Sequence, residues 1–247
     1  MKAIVSPDGN PIEHLRARRS MADLLRLLQF GDSALPIGGF SFSSGLETAT
    51  EIGLVHNVET LEAFLDAALR ISASGDGVGL VCAFRALEAQ DLDALSAVDE
   101  EINARKLNEE TRLMSVRMGR KLVELSAHVV GDPINVEWLG RIRDGRTPGT
   151  HPASLAATSA GVGIRSDEEA FALLNYSLAT AILGAALRLM RVSFVETQSI
   201  LWRSMEKVPE AYAAIEGATL DDMAGFAPVT DILAALHVKG HLRMFMN

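Results

Sequence analysis

Apolar residues recur at steps of three and four along nearly the whole chain. Met21, Leu24, Leu25 and Leu28 form one such stripe, and Leu61, Phe64, Leu65, Ala68 and Leu69 form another. Side chains so spaced lie on one face of an α-helix, whereas a half-buried strand alternates polar and apolar positions. Alternation of that kind is scarce, so the pattern predicts an all-α fold. Start signals agree: Ser20, Asn57, Asp91 and Thr230 stand where a side-chain oxygen can accept a free N–H of a first turn, and Ser166 with Glu169 has the spacing of a capping box. The predicted helices run over 20–30, 41–53, 58–73, 76–89, 92–102, 104–130, 134–143, 153–163, 167–191, 197–206, 209–217 and 229–244. Together they form a single-domain bundle of about ten to twelve helices. Gly145, Pro148, Gly149 and Pro152 mark a loop but no domain boundary, since apolar helices resume on both sides. The expected organisation is a flexible arm over 1–19 and one all-α domain over 20–247, with residues 238–247 as a docking tail. In the helix over 167–191, Ala179, Ala181, Gly184, Ala185 and Ala186 alternate with larger residues, which suits a central helix that others approach closely.

Apolar residues make up 48% of the 247 and charged ones 22%, enough to build a core and too few charges for wholesale disorder. The formal charge of −9 repels phosphate backbones on average, which argues against nucleic acid as the partner. Arg16, Arg18 and Arg19 are basic but adjoin a leader with Pro7 and Pro11, and read as a solvated arm. That leader lacks the apolar run of a secretory signal. The most apolar stretch, from Phe171 to Met190, contains Asn175, Tyr176, Thr180 and Arg188, and reads as a buried core helix with no membrane to cross. With Cys82 the only cysteine, no intramolecular disulfide and no cysteine cluster can form, which fits a reducing cytoplasm.

Candidate chemistry is sparse. The segment from Asp32 to Glu47 carries Pro36, Gly38 and Gly39 ahead of Phe40, Phe42 and a run of serines, so the chain must break after the first helix. A phosphate loop needs a lysine after its last glycine, and no lysine lies between Ala3 and Arg105. The spacing of Gly39, Ser41 and Gly45 does not make a catalytic serine elbow. Of six histidines, only His237 and His241 share a helix face, and Val238 stands where a zinc-protease glutamate would be. They read as polar surface. Glu100/Glu101, Glu109/Glu110 and Asp221/Asp222 read as solvated faces or helix starts, and no acid/base pair emerges. Arg112, Arg117, Arg120 and Lys121 lie among Met114, Met118 and Leu122, a combination that suits a protein interface or a solvated face over a buried stripe.

Taken in order, Leu28-Gln29, the run from Leu35 through Gly38, Gly39, Phe40 and Gly45 to Glu47, and the long segment from Asn103 to Met118-Gly119-Arg120 closely resemble blocks of the urease accessory protein UreF family. Ala179 to Leu189, Gln198, Phe226-Ala227-Pro228, Asp231-Ile232, His237, Arg243 and Phe245 continue the likeness to the end of the chain. Departures are local: Val238 replaces an acidic residue, His241 an aromatic one, and the segment around His151-Pro152 is shortened. The resemblance implies an all-α homodimer that binds the accessory protein UreD (also called UreH), recruits the GTPase UreG, and serves nickel delivery to apo-urease. It implies no catalytic residue, cofactor or metal site in this chain. The partner-binding residues it suggests are Pro36, Gly38, Gly39, Phe40, Gly45, Glu47, Arg117, Arg120, His237, Arg243 and Phe245. A helical protein with a small-ligand or active-site pocket beneath Gly38 and Gly39 is the rival reading. The terminal run Leu242 to Met246 is expected to fray in isolation and to order on a partner, burying Phe245; the alternative is that it folds back on its own core.

Overall fold

A computed structural model describes residues 21–32, 34–39, 42–164, 166–224, 228–238 and 244–245, with side chains in 228–238 described at 229, 232, 233 and 235–237. The expected arm over 1–19, the Ser20 cap, Phe40, Phe226, Ala227, His241 and Arg243 lie outside the described residues. Twelve α-helices are described: α1 Met21–Phe30, α2 Leu46–Glu51, α3 Val58–Ser72, α4 Val78–Glu88, α5 Leu92–Arg105, α6 Glu109–Val129, α7 Pro133–Arg143, α8 His151–Gly161, α9 Asp167–Leu189, α10 Phe194–Met205, α11 Val208–Ala213 and α12 Pro228–Val238. A π turn, Ala73–Gly77, joins α3 to α4, and a 3₁₀ turn covers Leu220–Asp222. No strand occurs among the described residues, as the apolar spacing predicted.

Local chemistry starts these helices. Asn57 accepts from the Thr60 N–H at 2.9 Å, Asp91 from Asp93 and Ala94, and Ser166 from Glu169 at 3.2 Å, so three of the predicted caps are in place. Thr230 is not a cap, because α12 begins two residues earlier at Pro228, whose fixed φ and missing N–H suit a first turn. Helix α2 begins at Leu46 and not at 41, since Gly38, Ser44 and Gly45 have φ of 96°, 54° and 85° and cannot belong to a right-handed helix. The predicted break between 73 and 76 is instead a π turn. Gly77 and Gly79 are packing glycines: a Cβ on Gly77 would lie 2.6 Å from Phe171, and one on Gly79 would lie 2.5 Å from Ile102.

Two apolar clusters fill the interior. The first gathers Leu80, Phe84, Leu95, Leu122, Trp138 and Phe171; the second gathers Leu46, Leu61, Leu65, Ile182, Ile200 and Leu233. Helix α9 belongs to both, with Phe171 and Leu174 in the first and Ala179 through Ala186 in the second, and it touches α2, α3, α4, α8, α10 and α11. It is the central helix anticipated from its small residues, although Gly184 faces open space and allows no close approach. Val58–Glu88 and Asp167–Leu189 are long and apolar enough to cross a membrane, but more than half of each apolar window is buried inside the protein.

The loop before α8 is held by one buried aspartate. Asp99 is wholly buried and accepts from Thr147 Oγ1 and Gly149 N at 2.6 Å, Thr150 N at 2.8 Å and Thr150 Oγ1 at 2.5 Å. Against this loop α6 packs so closely that a Cβ on Gly119 would lie 2.3 Å from the Gly149 carbonyl. Beside it, Arg120 Nε donates to the Pro148 carbonyl at 3.0 Å.

Candidate partner-docking site

Three of the partner-binding residues suggested by the sequence meet at one place. Glu47, in the first turn of α2, is 4% exposed, and His237, near the end of α12, is also 4% exposed. The His237 ring stands between two carboxylates, with Nε2 3.2 Å from Glu47 Oε2 and Nδ1 3.2 Å from Glu110 Oε2 of α6. A neutral imidazole has one N–H and donates to one of them; an imidazolium donates to both. The carboxylates flank opposite ring nitrogens, so they do not enclose a common cation, and no cluster of three or more His, Cys, Asp or Glu suited to a metal occurs among the described residues.

Glu47 also holds the end of the chain. The Met244 N–H donates to Oε1 at 2.7 Å and the Phe245 N–H to Oε2 at 3.1 Å. Phe245 is buried in the second apolar cluster, and the Arg188 guanidinium lies 4.1 Å over its ring centroid. Burial holds the Arg188 guanidinium below its ordinary value. These contacts correct two expectations. His237 is not polar surface but a buried link between α2, α6 and α12. Phe245 is packed: at this residue the chain folds back on its own core, the alternative reading of the tail, because an aromatic ring and two backbone N–H groups find partners there. Glu110, read as solvated, turns inward to His237, while Glu109 stays exposed.

The preceding turn lies beside this point. Pro36 and Gly38 are exposed, and Gly45 is buried, where a Cβ would meet Leu233 at an ordinary 3.5 Å. Of the glycine pair, only Gly38 has positive φ. Arg117 and Arg120 are exposed on α6 beside the exposed Lys121 and Leu113, away from the buried clamp. Below the turn, a cavity of about 110 Å³ is lined by Asp32, Gly39, Ser44, Met118 and His151, and a neighbouring one of about 220 Å³ lies across Asp76 and Met114. Asp76, on the π turn, pairs with Lys106 at 2.5 Å. Burial holds the His151 imidazole down to about 4, against the pull of Asp76 and with the help of Lys106. The Cys82 thiol is pushed up by burial, so it is a poor nucleophile.

The clamp could not be found from spacing. Glu47, Glu110 and His237 are far apart in the chain, and only the resemblance singled out two of them. Asp99 was missed altogether, since one aspartate in a helix carries no signal of burial.

Comparison with known proteins adds the context. A model of the UreF family matches residues 55–205. The chain is 56% identical over 229 residues to urease accessory protein UreF 2 of Brucella canis, covering 93% of this chain and 94% of that protein. It has the same identity to UreF 1 of Brucella melitensis, with 93% and 95% covered. It is 45% identical to UreF of Yersinia pseudotuberculosis, with 92% of this chain and 99% of that protein aligned. With its all-helical fold and its ordered sequence blocks reaching from the turn after α1 to the C-terminal clamp, the chain belongs to the UreF family of urease accessory proteins.

Proposed function

We propose that this chain is a non-catalytic scaffold of urease maturation, a cytoplasmic homodimer that binds UreD/UreH and recruits and regulates the GTPase UreG so that nickel reaches apo-urease. Its docking elements are the turn around Pro36, Gly38 and Gly39, the exposed Arg117 and Arg120 of α6, and the C-terminal segment that contains Arg243 and Phe245. The observation that carries the reading is the membership of a urease accessory family along nearly the whole chain. The exposed apolar face of α12, with Val229 at 56%, Ile232 at 58% and Leu236 at 41%, supports docking at that end. The test is co-purification. Full-length chain should retain UreD/UreH and, with it, UreG, and should restore urease activity to cells lacking their own copy. A chain ending at residue 237 should keep its helical content yet lose capture and activation. Full capture by that truncated chain would place docking elsewhere.

A second reading is favoured by one observation, the cavity beneath Gly39, whose lining of Met118, His151, Asp32 and Ser44 could hold a small molecule. A small molecule retained through purification, or turnover by the isolated chain, would support it over the scaffold.

A further inference from the structure

We infer that Glu47 and His237 are positioning residues, which fasten the C-terminal segment to the core and thereby set the conformation in which it meets a partner, without touching that partner themselves. This inference rests on the docking reading above for its consequence, and on the clamp geometry for its mechanism.

Both side chains are buried, so a partner arriving at the surface meets neither. Two backbone donors, Met244 N and Phe245 N, and one ring nitrogen, His237 Nε2, converge on the two oxygens of Glu47. Glu47 is itself set at the start of α2, where its backbone N–H donates to Ser43 Oγ at 3.3 Å, and the left-handed Ser44 and Gly45 fix the entry to that helix. The turn that carries the family-like block is thus tied, through one carboxylate, to residues about 200 positions further on. His237 supplies the second tie. Its other nitrogen reaches Glu110 on α6, so α12 is held to two helices at once. Apolar contacts follow the same path: Leu233 lies over Gly45, and Phe245 fills the second cluster beneath Arg188. A terminal segment gains little from local contacts alone. Here the backbone N–H groups of Met244 and Phe245 are paired only because a buried acceptor waits for them, so removing the acceptor leaves them unmatched and favours release.

Glu47→Gln is the informative change, because an amide keeps the size but replaces one of the two acceptor oxygens that Met244 N and Phe245 N use with an NH₂ donor. Amide exchange on the isolated full-length chain reads the latch directly: protection at Met244 and Phe245 should fall by about tenfold or more while the helices of the core keep theirs. Affinity for purified UreD/UreH reads the consequence. Glu47→Gln and Phe245→Ala should each weaken it by about tenfold, and the double variant by no more than either alone, since both act by freeing one segment. A residue that merely stabilised the core, or touched the partner independently, would give multiplied losses. If Glu47→Gln unfolds the chain, His237→Gln takes its place in both measurements. Unchanged protection at 244–245, or losses that multiply, overturns the inference. Wild-type chain that binds no UreD/UreH would sink the docking reading instead, and amide exchange would still decide whether the latch exists.

Discussion

At the scale of single residues, His151 is the group whose environment most clearly couples folding to pH. Its folded pKa of about 4 lies below the ordinary 6.5, because burial disfavours the charged ring. On acidification the unfolded chain takes up this proton first. The contribution to stability is therefore complete above 6.5 and is lost as pH falls toward about 4, by at most about 3 kcal/mol. Urea unfolding at pH 7 and pH 4.5 should show a larger loss for wild type than for His151→Gln; equal losses would refute the assignment. Residue roles were legible where they are local. The Asn57 and Asp91 caps follow from neighbours within a turn, and so could be read from sequence. The Ser193–Glu196 capping box is equally local, and it sets the start of α10 at Phe194, three residues before the 197 that the apolar spacing predicts. Asp99 and Glu47 were opaque for the opposite reason: every donor that justifies their burial comes from a distant segment.

At the scale of elements, the turn between α1 and α2 separates two glycines that sequence treats alike. Gly38 has φ of 96° and open space around its Cβ position, so a side chain there costs backbone strain alone. Gly39 has no positive φ, and its Cβ position lies 3.4 Å from the flexible end of Met118. Gly38→Val should lower stability by about 1–2 kcal/mol, whereas Gly39→Val should change it by well under about 1 kcal/mol. Thermal melts of the two variants check this, and equal shifts would contradict it. Helix existence was legible throughout from three-and-four spacing, and most boundaries lie within a few residues. The exceptions have physical causes. Left-handed residues delay α2, and the two predicted helices over 58–73 and 76–89 are joined by a π turn, where Gly77 and, just beyond, Gly79 make room for Phe171 and Ile102.

At the scale of the whole molecule, α1 and α10, like α12, leave large apolar side chains uncovered. Helix α1 exposes Met21 at 79%, Leu25 at 58% and Leu28 at 57%, and α10 exposes Phe194 at 71% and Trp202 at 70%. Such faces suit partners or a second copy. For the proposed homodimer, light scattering at micromolar concentration should give twice the 26.5 kDa chain mass; monomer at every concentration, with and without partners, would exclude it. The all-α class was legible because helical periodicity needs no tertiary information, while the pairing of faces was not, since many helices offer similar stripes. The π turn bears on what lengths the fold tolerates. A π turn closes its hydrogen bonds one residue later than an α turn, so it carries one extra residue through nearly the same rotation and leaves α4 in phase with α3. Deleting one residue from Ala73–Asp76 would therefore restore a continuous α-helix and keep Gly77 and Gly79 against Phe171 and Ile102. The same deletion inside Val58–Ser72 would turn α4 by about 100° and bring residues with side chains to places where a Cβ has no room, so natural deletions between Val58 and Glu88 should fall at the π turn.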